Sequence, residues 1–304
     1  MRLTYRHKQL IQRLLPAEAL LRVWFSLRRF DREPSVLVYQ YGKVGSSSVC
    51  ASLRAAGLRN VFQVHTLNPE RWRTAVDRHR SFGAYVPRHL IVSKCVMRAL
   101  DAQRLQRPLV ITLVREPIAQ AVSSFFENLH IAHPGLAARR LYDPEACLSG
   151  AREELRDLQS IVASREQWFA DELSHVFDVD VFREDFPVSL GSRTYESERA
   201  TVLVVRLENL SDCFEKAMAE VLPGRAFRLV ESNVGYRKEY RQAYRHVLDN
   251  LRIPEEELRQ VCDSRFVRHF YSDMVPSVLD WSAGRRVPKG ANPPPSDGKV
   301  LNQT

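Results

Sequence analysis

Residues 36–53 read VLVYQYGKVGSSSVCASL. The stretch begins with the apolar and aromatic run Val36–Tyr39, which is typical of a strand buried on both faces. Glycines interrupt the run at Gly42 and Gly45, and apolar residues then recur in a helical pattern after Ser46. A strand, a glycine turn and a helix in this order predict an anion site. The first N–H groups of a helix lack partners inside it, and its dipole favours negative charge.

The predicted anion loop combines a lysine with backbone and hydroxyl donors, and its residues are Lys43, Val44, Gly45, Ser46, Ser47 and Ser48. Their order differs from the G-x-x-x-x-G-K-[ST] loop of nucleotide triphosphatases, in which the lysine follows the last glycine. Here Lys43 precedes Gly45, so we expect an anion other than a triphosphate with magnesium. The alternative is a plain strand-to-helix turn in which the serines only cap the helix.

A second segment repeats the pattern of a buried strand followed by a helix. Leu109–Val114 is an apolar run, and the sequence REPIAQAVSSFF follows it, beginning at Arg115. Pro117 suits the first turn of a helix, which places Ser123 about two turns into that helix. Arg115 and Ser123 could then grip a second phosphate from two sides, with a planar guanidinium and a hydroxyl. Alternatively, Arg115 pairs with a surface carboxylate and Ser123 is ordinary helix surface.

Together, the K-x-G-S-S-S and R-E-P-x5-S motifs resemble the two cofactor motifs of sulfotransferases that use 3′-phosphoadenosine-5′-phosphosulfate (PAPS). In that superfamily the first loop binds the 5′-phosphosulfate, and the second motif binds the 3′-phosphate. This sequence keeps the spacing from Lys43 to Gly45 and from Arg115 to Ser123. It departs from the pattern by Glu116 in place of an aspartate and by serines in place of the threonines of the loop. Both changes are chemically mild.

The resemblance covers roughly residues 35–281 and extends to a bacterial branch described as capsular polysaccharide synthesis or sulfotransferase-like proteins. Beyond the two motifs it rests on Phe62–Asn68, Gln167–Phe169, Val204–Leu210 and His269–Ser272. It implies a P-loop-like three-layer α/β/α fold with a central, mostly parallel sheet. It also implies PAPS as the co-substrate, adenosine 3′,5′-bisphosphate as the product and no metal ion. Lys43 would lie near the bridging oxygen of the leaving group, and Arg115 and Ser123 would hold the 3′-phosphate.

An acceptor hydroxyl also needs a general base. Many sulfotransferases place a histidine or glutamate on the strand before the one that carries the arginine, and here Ser93 and Lys94 occupy that place. His65 is our first candidate because it ends a predicted strand beside the first loop. His89 and Lys94 are weaker candidates. A histidine at a strand end is also often structural, so this alternative stays open.

Composition narrows the possible partners. The chain of 304 residues carries a net charge of +9 at pH 7. Most of its basic residues are arginines, which suit phosphate and sulfate recognition. No zinc-finger or RNP-type motif supports nucleic-acid binding, and we expect none. The expected acceptor is a carbohydrate or another molecule with a hydroxyl group.

The cysteines and the hydropathy suggest a compartment. Five scattered cysteines without a C-x-x-C pair argue against a disulfide framework and a zinc site, and they favour a reducing cytoplasm. We find neither a run of about 18 apolar residues nor a secretory signal. We therefore expect a cytoplasmic protein.

Three regions are predicted along the chain. Residues 1–32 are a basic, amphipathic helical segment. This segment either packs on the core or on a second subunit, or it makes peripheral contact with a membrane through residues 1–30. Residues 33–282 form one sulfotransferase-like α/β domain. Residues 283–304, rich in Arg, Gly, Pro and Ser, form a disordered tail.

Alternating strands and helices predict a parallel sheet with right-handed crossovers, whose phosphate sites lie at the carboxyl ends of the strands. Besides the two apolar runs above, strands are expected at residues 60–65, 89–93, 176–182 and 201–206, the last paired with residues 195–196. Helices are expected at residues 69–79, 94–104, 117–130, 151–173, 209–221, 235–251 and 254–266. Residues 132–149 carry loop signals such as His133-Pro134-Gly135 and Asp143-Pro144.

Three functions compete. The leading hypothesis is an enzyme that moves a sulfuryl group from PAPS to a hydroxyl, most often of a carbohydrate or polysaccharide. The second is a P-loop kinase or other phosphotransferase, which the missing G-K-[ST] order and the missing Walker B carboxylate disfavour. The third is a non-catalytic relative that binds a glycan or a nucleic acid.

Overall fold

The structure, a computed structural model, describes residues 17–28, 30, 33–81, 86–132, 142–230 and 240–275. These residues divide into two compact units. The first unit lies within Met1–Val114 and Ser164–Ser232, and the second lies within Arg115–Ala163 and Asn233–Thr304. The sheet described below belongs entirely to the first unit.

The five strands are β1 Val36–Tyr39, β2 Val61–Val64, β3 Leu109–Val114, β4 Ser192–Glu196 and β5 Thr201–Arg206. They form one sheet in the order β2-β1-β3-β5-β4. The first four strands in that order pair in parallel, and only β4 runs antiparallel to its neighbour β5. The predicted α/β class with a central, mostly parallel sheet is therefore confirmed.

The central strands are buried on both faces, as their apolar runs predict. Every residue of β1 and β3 is buried, and in β5 only Thr201 is partly exposed. Successive side chains of a strand point to opposite faces, so both faces of this part of the sheet are covered. The edge strand β4 reads SRTYE and is mostly exposed or half-buried.

The helices, in chain order, are α1 Ala17–Ser26, α2 Ser46–Ala55, α3 Pro69–Ser81, α4 Arg88–Asp101, α5 Pro117–Ala132, α6 Pro144–Glu154, α7 Leu158–Trp168, α8 His175–Phe177, α9 Leu210–Val221, α10 Arg241–Asn250, α11 Glu255–Asp263 and α12 Arg265–Phe270. A π-helical segment, Phe169–Ser174, joins α7 to α8, and a 3-10 turn, Leu207–Asn209, joins β5 to α9. Helices α5, α6 and α10 to α12 belong to the second unit. Within the described ranges, no helix is both long and apolar enough to cross a bilayer.

Phe25 packs helix α1 against the first unit. The buried ring of Phe25 lies 5.0 Å from the ring of Phe62 and 5.4 Å from that of Phe30, between centroids. The predicted N-terminal helix is thus present over Ala17–Ser26. Residues 1–16, 29, 31 and 32, and the predicted tail at residues 283–304, lie outside the described residues.

The strand predicted at residues 89–93 is wrong, because these residues lie in α4. The buried residues of this helix are Leu90, Ser93, Cys95, Val96 and Ala99. Their spacing of three to four residues is that of one helix face. Pro87 stands at the N-cap, directly before the first helical residue. The β-branched pair Ile91 and Val92 favours a strand locally, but burial of a helical face overrides that preference.

The strand predicted at residues 176–182 is also wrong. Helix α8 covers His175–Phe177, and the chain leaves the helix at Asp178, whose φ is 56°. Aspartate adopts this left-handed conformation more readily than most residues. The alternation of apolar and acidic residues in this stretch therefore does not reflect a strand.

The loop predicted at residues 132–149 is wrong in its second half, because α6 begins at Pro144. The side chain of Asp143 caps this helix and accepts a hydrogen bond of 2.7 Å from the N–H of Ala146. Aspartate at the cap followed by proline in the first turn is a helix start signal. Residues 133–141 lie outside the described part of the chain.

Two long predicted helices are interrupted. The one expected at residues 151–173 consists of the end of α6, then α7 and part of the π-helical segment. The one expected at residues 254–266 breaks at Ser264, whose extended backbone separates α11 from α12. The Ser264 hydroxyl accepts a hydrogen bond of 3.3 Å from the N–H of Val267. A serine inside a helical pattern can thus start a new helix instead of continuing the old one.

Candidate functional site

The loop after β1 contains two residues in the left-handed backbone region. Lys43 has a φ of 69° and Gly45 a φ of 89°. A Cβ atom added to Gly45 would lie 2.5 Å from Cδ1 of Leu207, which directly follows β5. The left-handed conformation therefore favours glycine at this position, and a larger residue would also have to displace the end of the Leu207 side chain. The turn is held against the carboxyl end of β5.

Helix α2 begins at Ser46, immediately after this turn. Its N-cap is Gly45, and no side chain caps the first turn. Ser46, Ser47 and Ser48 are the first three helical residues, so none of them is the N-cap, and anion binding by this turn stays a prediction. Their N–H groups belong to the helix end that attracts anions.

Gln63 of β2 orients the first of these serines, and we did not select it from the sequence. Its Nε2 donates a hydrogen bond of 2.8 Å to Oγ of Ser46. Because this oxygen accepts from Gln63, the proton of the serine hydroxyl is directed to another acceptor. The only hint in the sequence is that Gln63 is the one polar residue of the strand VFQV.

Gln40 directly follows β1 and starts the loop with a fully buried side chain. Within the described ranges neither its amide nitrogen nor its amide oxygen has a hydrogen-bond partner. Buried amides are rarely left unpaired, so each such case calls for an explanation.

His65 follows β2 directly and lies beside the start of the loop. Its Nδ1 is 2.8 Å from the backbone carbonyl oxygen of Gln40. Since a carbonyl only accepts hydrogen bonds, Nδ1 carries the proton and Nε2 of the neutral ring keeps its lone pair. Burial and the nearby charge of Lys43 hold the pKa of His65 below its usual value, despite the bond to Gln40. The structure thus places a neutral imidazole beside Lys43.

The two weaker candidates for the base both lie in α4. The ring of His89 meets that of His65 edge to face, with centroids 5.0 Å apart. Burial, and then the neighbouring His65, lower the pKa of His89 to about 4. Nζ of Lys94 lies 4.8 Å from the ring centroid of Trp72, in a cation–π contact. Lys94 therefore does not follow a strand, and the expectation that Ser93 and Lys94 end one is wrong.

Glu172 connects the chain after His65 to β1. This carboxylate, 0 % exposed, lies in the π-helical segment. It accepts hydrogen bonds from two side chains, the hydroxyl of Tyr39 and Oγ1 of Thr66, the latter at 2.5 Å. It also accepts from the N–H groups of Leu67 and Asn68, both at 2.8 Å. Nε of Arg71 lies 3.6 Å from the same carboxylate. Burial and this carboxylate raise the pKa of Tyr39 well above its usual value, so its hydroxyl remains a donor. The buried charge is thus fully satisfied, and it fixes the backbone that carries His65.

A second cation lies beside the loop, on a residue that we did not select from the sequence. The guanidinium carbon of Arg165 is 4.9 Å from the ring centroid of Tyr41, a loop residue. The same tyrosine ring meets Trp168 edge to face at 5.8 Å. Trp168 in turn donates from Nε1 to the carbonyl oxygen of His65 at 3.0 Å. Helix α7 therefore supports both the loop and the candidate base.

Residues 150–272 match the family model NKWYS, "Putative capsular polysaccharide synthesis protein". The matched part includes Arg165, Trp168 and Glu172, which support the site, but neither the loop at Lys43 nor Arg115. It links this region of the chain to proteins of capsular polysaccharide synthesis. No curated protein and no solved structure matched the chain.

In the second unit, Glu116 of the REP segment serves the helix that follows. Its carboxylate accepts hydrogen bonds from the N–H groups of Ile118 at 2.9 Å and Ala119 at 2.7 Å. Such a bond between a carboxylate and the first N–H groups stabilises a helix start. An acidic residue between the arginine and the proline therefore has a local structural reason.

Arg115 follows β3 directly, and its Nη2 lies 3.5 Å from the hydroxyl oxygen of Tyr244. Tyr244 belongs to an aromatic group with Phe126 and Tyr240. The Phe126 ring stacks on Tyr240 at 5.0 Å and meets Tyr244 edge to face at 5.2 Å, between centroids. Ser123 is half-buried on the second turn of α5. The guanidinium thus lies beside a flat aromatic surface of its own unit.

The first unit brings Lys43, the serine turn and His65 together, and the second unit contains Arg115 and Ser123. The roles assigned to these residues, and a cavity shared by the two motifs, stay predictions. In the described part of the chain, no group of three or more His, Cys, Asp or Glu side chains could hold a metal ion.

Proposed function

We propose that this chain is a sulfotransferase that moves a sulfuryl group from PAPS to a hydroxyl of a carbohydrate or polysaccharide. The observation that carries the proposal is the pairing of Lys43 with His65. A cation in an anion-binding turn lies beside a neutral imidazole whose Nε2 can accept a proton. Sulfuryl transfer to a hydroxyl requires these two functions side by side.

The sheet topology supports this location. Strand β1 has β2 on one side and β3 on the other, so the strand order reverses at β1. In open parallel sheets, ligands bind beyond the carboxyl ends of the strands at such a switch point. The serine turn follows β1 in the chain, and Arg115 follows β3. We therefore assign the cofactor to the carboxyl ends of these two strands.

The serine turn would hold the 5′-phosphosulfate. The N–H groups at the start of α2 and the hydroxyl proton of Ser46, oriented by Gln63, would donate to its oxygens. Gly45 lets the backbone approach the anion. Lys43 would face the bridging oxygen between sulfur and phosphorus, where negative charge develops as the bond breaks.

Arg115 and Ser123 would hold the 3′-phosphate. A guanidinium offers paired donors that match two phosphate oxygens, and a serine hydroxyl adds a third donor. The aromatic group beside Arg115 gives this phosphate site a rigid wall.

In the transfer step, the acceptor oxygen attacks sulfur in line with the bond to the 5′-phosphate. That sulfur–oxygen bond breaks, and adenosine 3′,5′-bisphosphate leaves. The acceptor proton passes to Nε2 of His65, and Lys43 meets the charge on the departing oxygen. β2 is the strand that precedes β3 in the chain, so the proposed base would stand at the end of the strand before the one that leads to Arg115.

The match at residues 150–272 supports a polysaccharide as the acceptor class. A P-loop phosphotransferase remains the second candidate for the loop, and it predicts magnesium-dependent ATP binding. A non-catalytic binding module predicts no affinity for the adenylate at all.

Thermal unfolding with adenosine 3′,5′-bisphosphate, compared with ATP and magnesium, separates these candidates. A ligand that binds only the native state at a hundredfold excess over its Kd adds about 2.7 kcal/mol, which raises Tm by roughly 5 °C in a chain of this size. We expect this rise with the bisphosphate and none with ATP and magnesium. Lys43→Ala should reduce the rise, whereas Lys216→Ala, an exposed lysine of α9, should leave it unchanged. A rise with ATP and magnesium alone would contradict the proposal.

A further inference from the structure

Helix α1 exposes a row of large apolar side chains. Leu20, Val23, Trp24 and Leu27 are 59 %, 56 %, 43 % and 76 % exposed. Their spacing of three and four residues places them on one face of the helix, continued by the residue after it. Single exposed apolar residues are common, but a contiguous apolar row marks a surface that binds another protein or a membrane.

This row meets the face that attaches α1 to the protein only at Trp24, whose ring lies edge to face with Phe62 at 6.4 Å between centroids. Phe25 on the inner face is buried at 4 % exposure against Phe62 and Phe30. Arg28 also ties the end of the helix to the first unit, because its Nη1 donates to Oδ1 of Asn60 at 2.9 Å. Phe25, Arg28 and one edge contact of Trp24 therefore fix the helix in place, and the other three residues of the row, Leu20, Val23 and Leu27, stay more than half exposed.

The charge of this region identifies the partner. Residues 1–32 contain eight Lys and Arg and only two acidic residues, so most of the net charge of +9 comes from this short part of the chain. Arg28 lies over the ring of Trp24, with 3.9 Å between its guanidinium carbon and the ring centroid. Tryptophan beside arginine suits the boundary between lipid tails and headgroups, where the ring is half apolar and the cation meets phosphate.

We propose that the outer row of α1, which lies in a segment of strongly basic sequence, docks the protein on an anionic lipid surface. Leu20, Trp24 and Leu27 enter the acyl boundary, and the arginines contact the headgroup phosphates. An RNA or an acidic protein would bind the basic residues, but it would not bury Leu20 and Leu27 in an apolar environment. This inference is independent of sulfuryl transfer.

The test is co-sedimentation of the full-length chain with vesicles of phosphatidylcholine, with and without phosphatidylserine. We expect partition to the phosphatidylserine vesicles only, weakened at high salt. Leu20→Gln combined with Leu27→Gln should reduce that partition at least about tenfold. Leu190→Gln, which alters an apolar residue 60 % exposed elsewhere in the first unit, is the matched control and should have no effect.

Three results would overturn the inference. They are no partition of the unaltered chain, equal partition to neutral vesicles, and unchanged partition of the double variant. Sedimentation velocity without lipid tests whether a second copy of the chain, instead of a lipid surface, covers the row. If the unaltered chain is a dimer that the double variant converts to a monomer, the row joins two copies of the chain instead of a bilayer. Because both leucines are exposed, we expect the melting temperature of the double variant to match that of the unaltered chain.

Discussion

Nδ1 of His65 lies 2.8 Å from the carbonyl oxygen of Gln40, the residue that leads into the glycine turn. This bond joins the ends of two adjacent parallel strands and fixes which nitrogen of the imidazole carries the proton. Nε2 is left as the basic atom, and burial, with a smaller contribution from the charge of Lys43, lowers the pKa of the ring. The same geometry thus sets the position, the tautomer and the protonation state of the proposed base.

The rate of sulfuryl transfer should therefore rise with pH through the pKa of His65 and then level off, because only the neutral ring accepts a proton. Burial lowers this pKa, so the rise should lie below about pH 6.5. His65→Asn should remove the rise and lower turnover at least about a hundredfold. The measurement is the pH–rate profile of PAPS consumption with a glycan acceptor.

His89→Gln is the matched control, since His89 touches His65 but has its own pKa near 4. This variant should keep the pH rise. A fully active His65→Asn enzyme with an unshifted profile would rule out His65, and loss of the rise in the His89 variant alone would transfer the role to that residue.

Lys43→Ala should lower turnover at least about a hundredfold, the effect of losing one preorganised donor to a developing oxyanion. Because the lysine is assigned to the departing oxygen, kcat should fall more than KM rises. Steady-state kinetics with varied PAPS measures both. Lys216→Ala should retain normal constants, and a Lys43→Ala enzyme with normal kcat would show that the lysine only binds the ground state.

Gly45→Ala should destabilise the protein by about 1–3 kcal/mol, because alanine is strained at a φ of 89° and its Cβ would overlap Leu207. The matched control is Gly42→Ala in the same loop, where a Cβ atom would meet nothing within 4 Å. We expect its effect to be within about 0.5 kcal/mol. Urea denaturation measures both, and equal losses would mean that the turn does not require glycine at position 45.

Glu172→Ala should lower the free energy of unfolding by about 3 kcal/mol, because it leaves four hydrogen-bond donors without this acceptor, three of them buried. Arg71 keeps its ion pair with Asp171, whose Oδ2 lies 2.7 Å from Nη1. Glu198→Ala, at an exposed glutamate of the same unit, is the control. Urea denaturation followed by circular dichroism gives both values. A loss no larger than that of the control would mean that Glu172 does not organise the chain after His65.

Local sequence patterns predicted the elements that are determined locally. The apolar runs of β1, β3 and β5 gave buried parallel strands, and the glycines after β1 gave the turn before α2. At residues 89–93 and 176–182 the local pattern misled, because burial of a helix face and a left-handed Asp178 decided the structure. The signal at Asp143 and Pro144 was present, but it marks a helix start instead of a loop.

The support of the site could not be read from the sequence, because it depends on contacts between distant residues. Glu172 is 133 residues from Tyr39, and Gln63 is 17 residues from Ser46. A glutamate within helical periodicity looks like solvent-exposed surface. Only the π-helical segment and the packed sheet show that Glu172 faces the core.

In the proposed function, the serine turn would bind the 5′ side of the adenylate and Arg115 would bind its 3′ side. Arg115→Ala should therefore lose the preference for a 3′-phosphate while keeping the 5′ site. Arg156→Ala, an exposed arginine of the same unit, should change nothing.

Calorimetric titration of adenosine 3′,5′-bisphosphate and of adenosine 5′-monophosphate into the unaltered chain and Arg115→Ala measures this directly. The unaltered chain should bind the bisphosphate at least about tenfold more tightly, the effect of one charge-assisted phosphate contact. Arg115→Ala should bind the two nucleotides with similar affinity. An unaltered chain that binds neither nucleotide, or that binds both equally, would contradict the account.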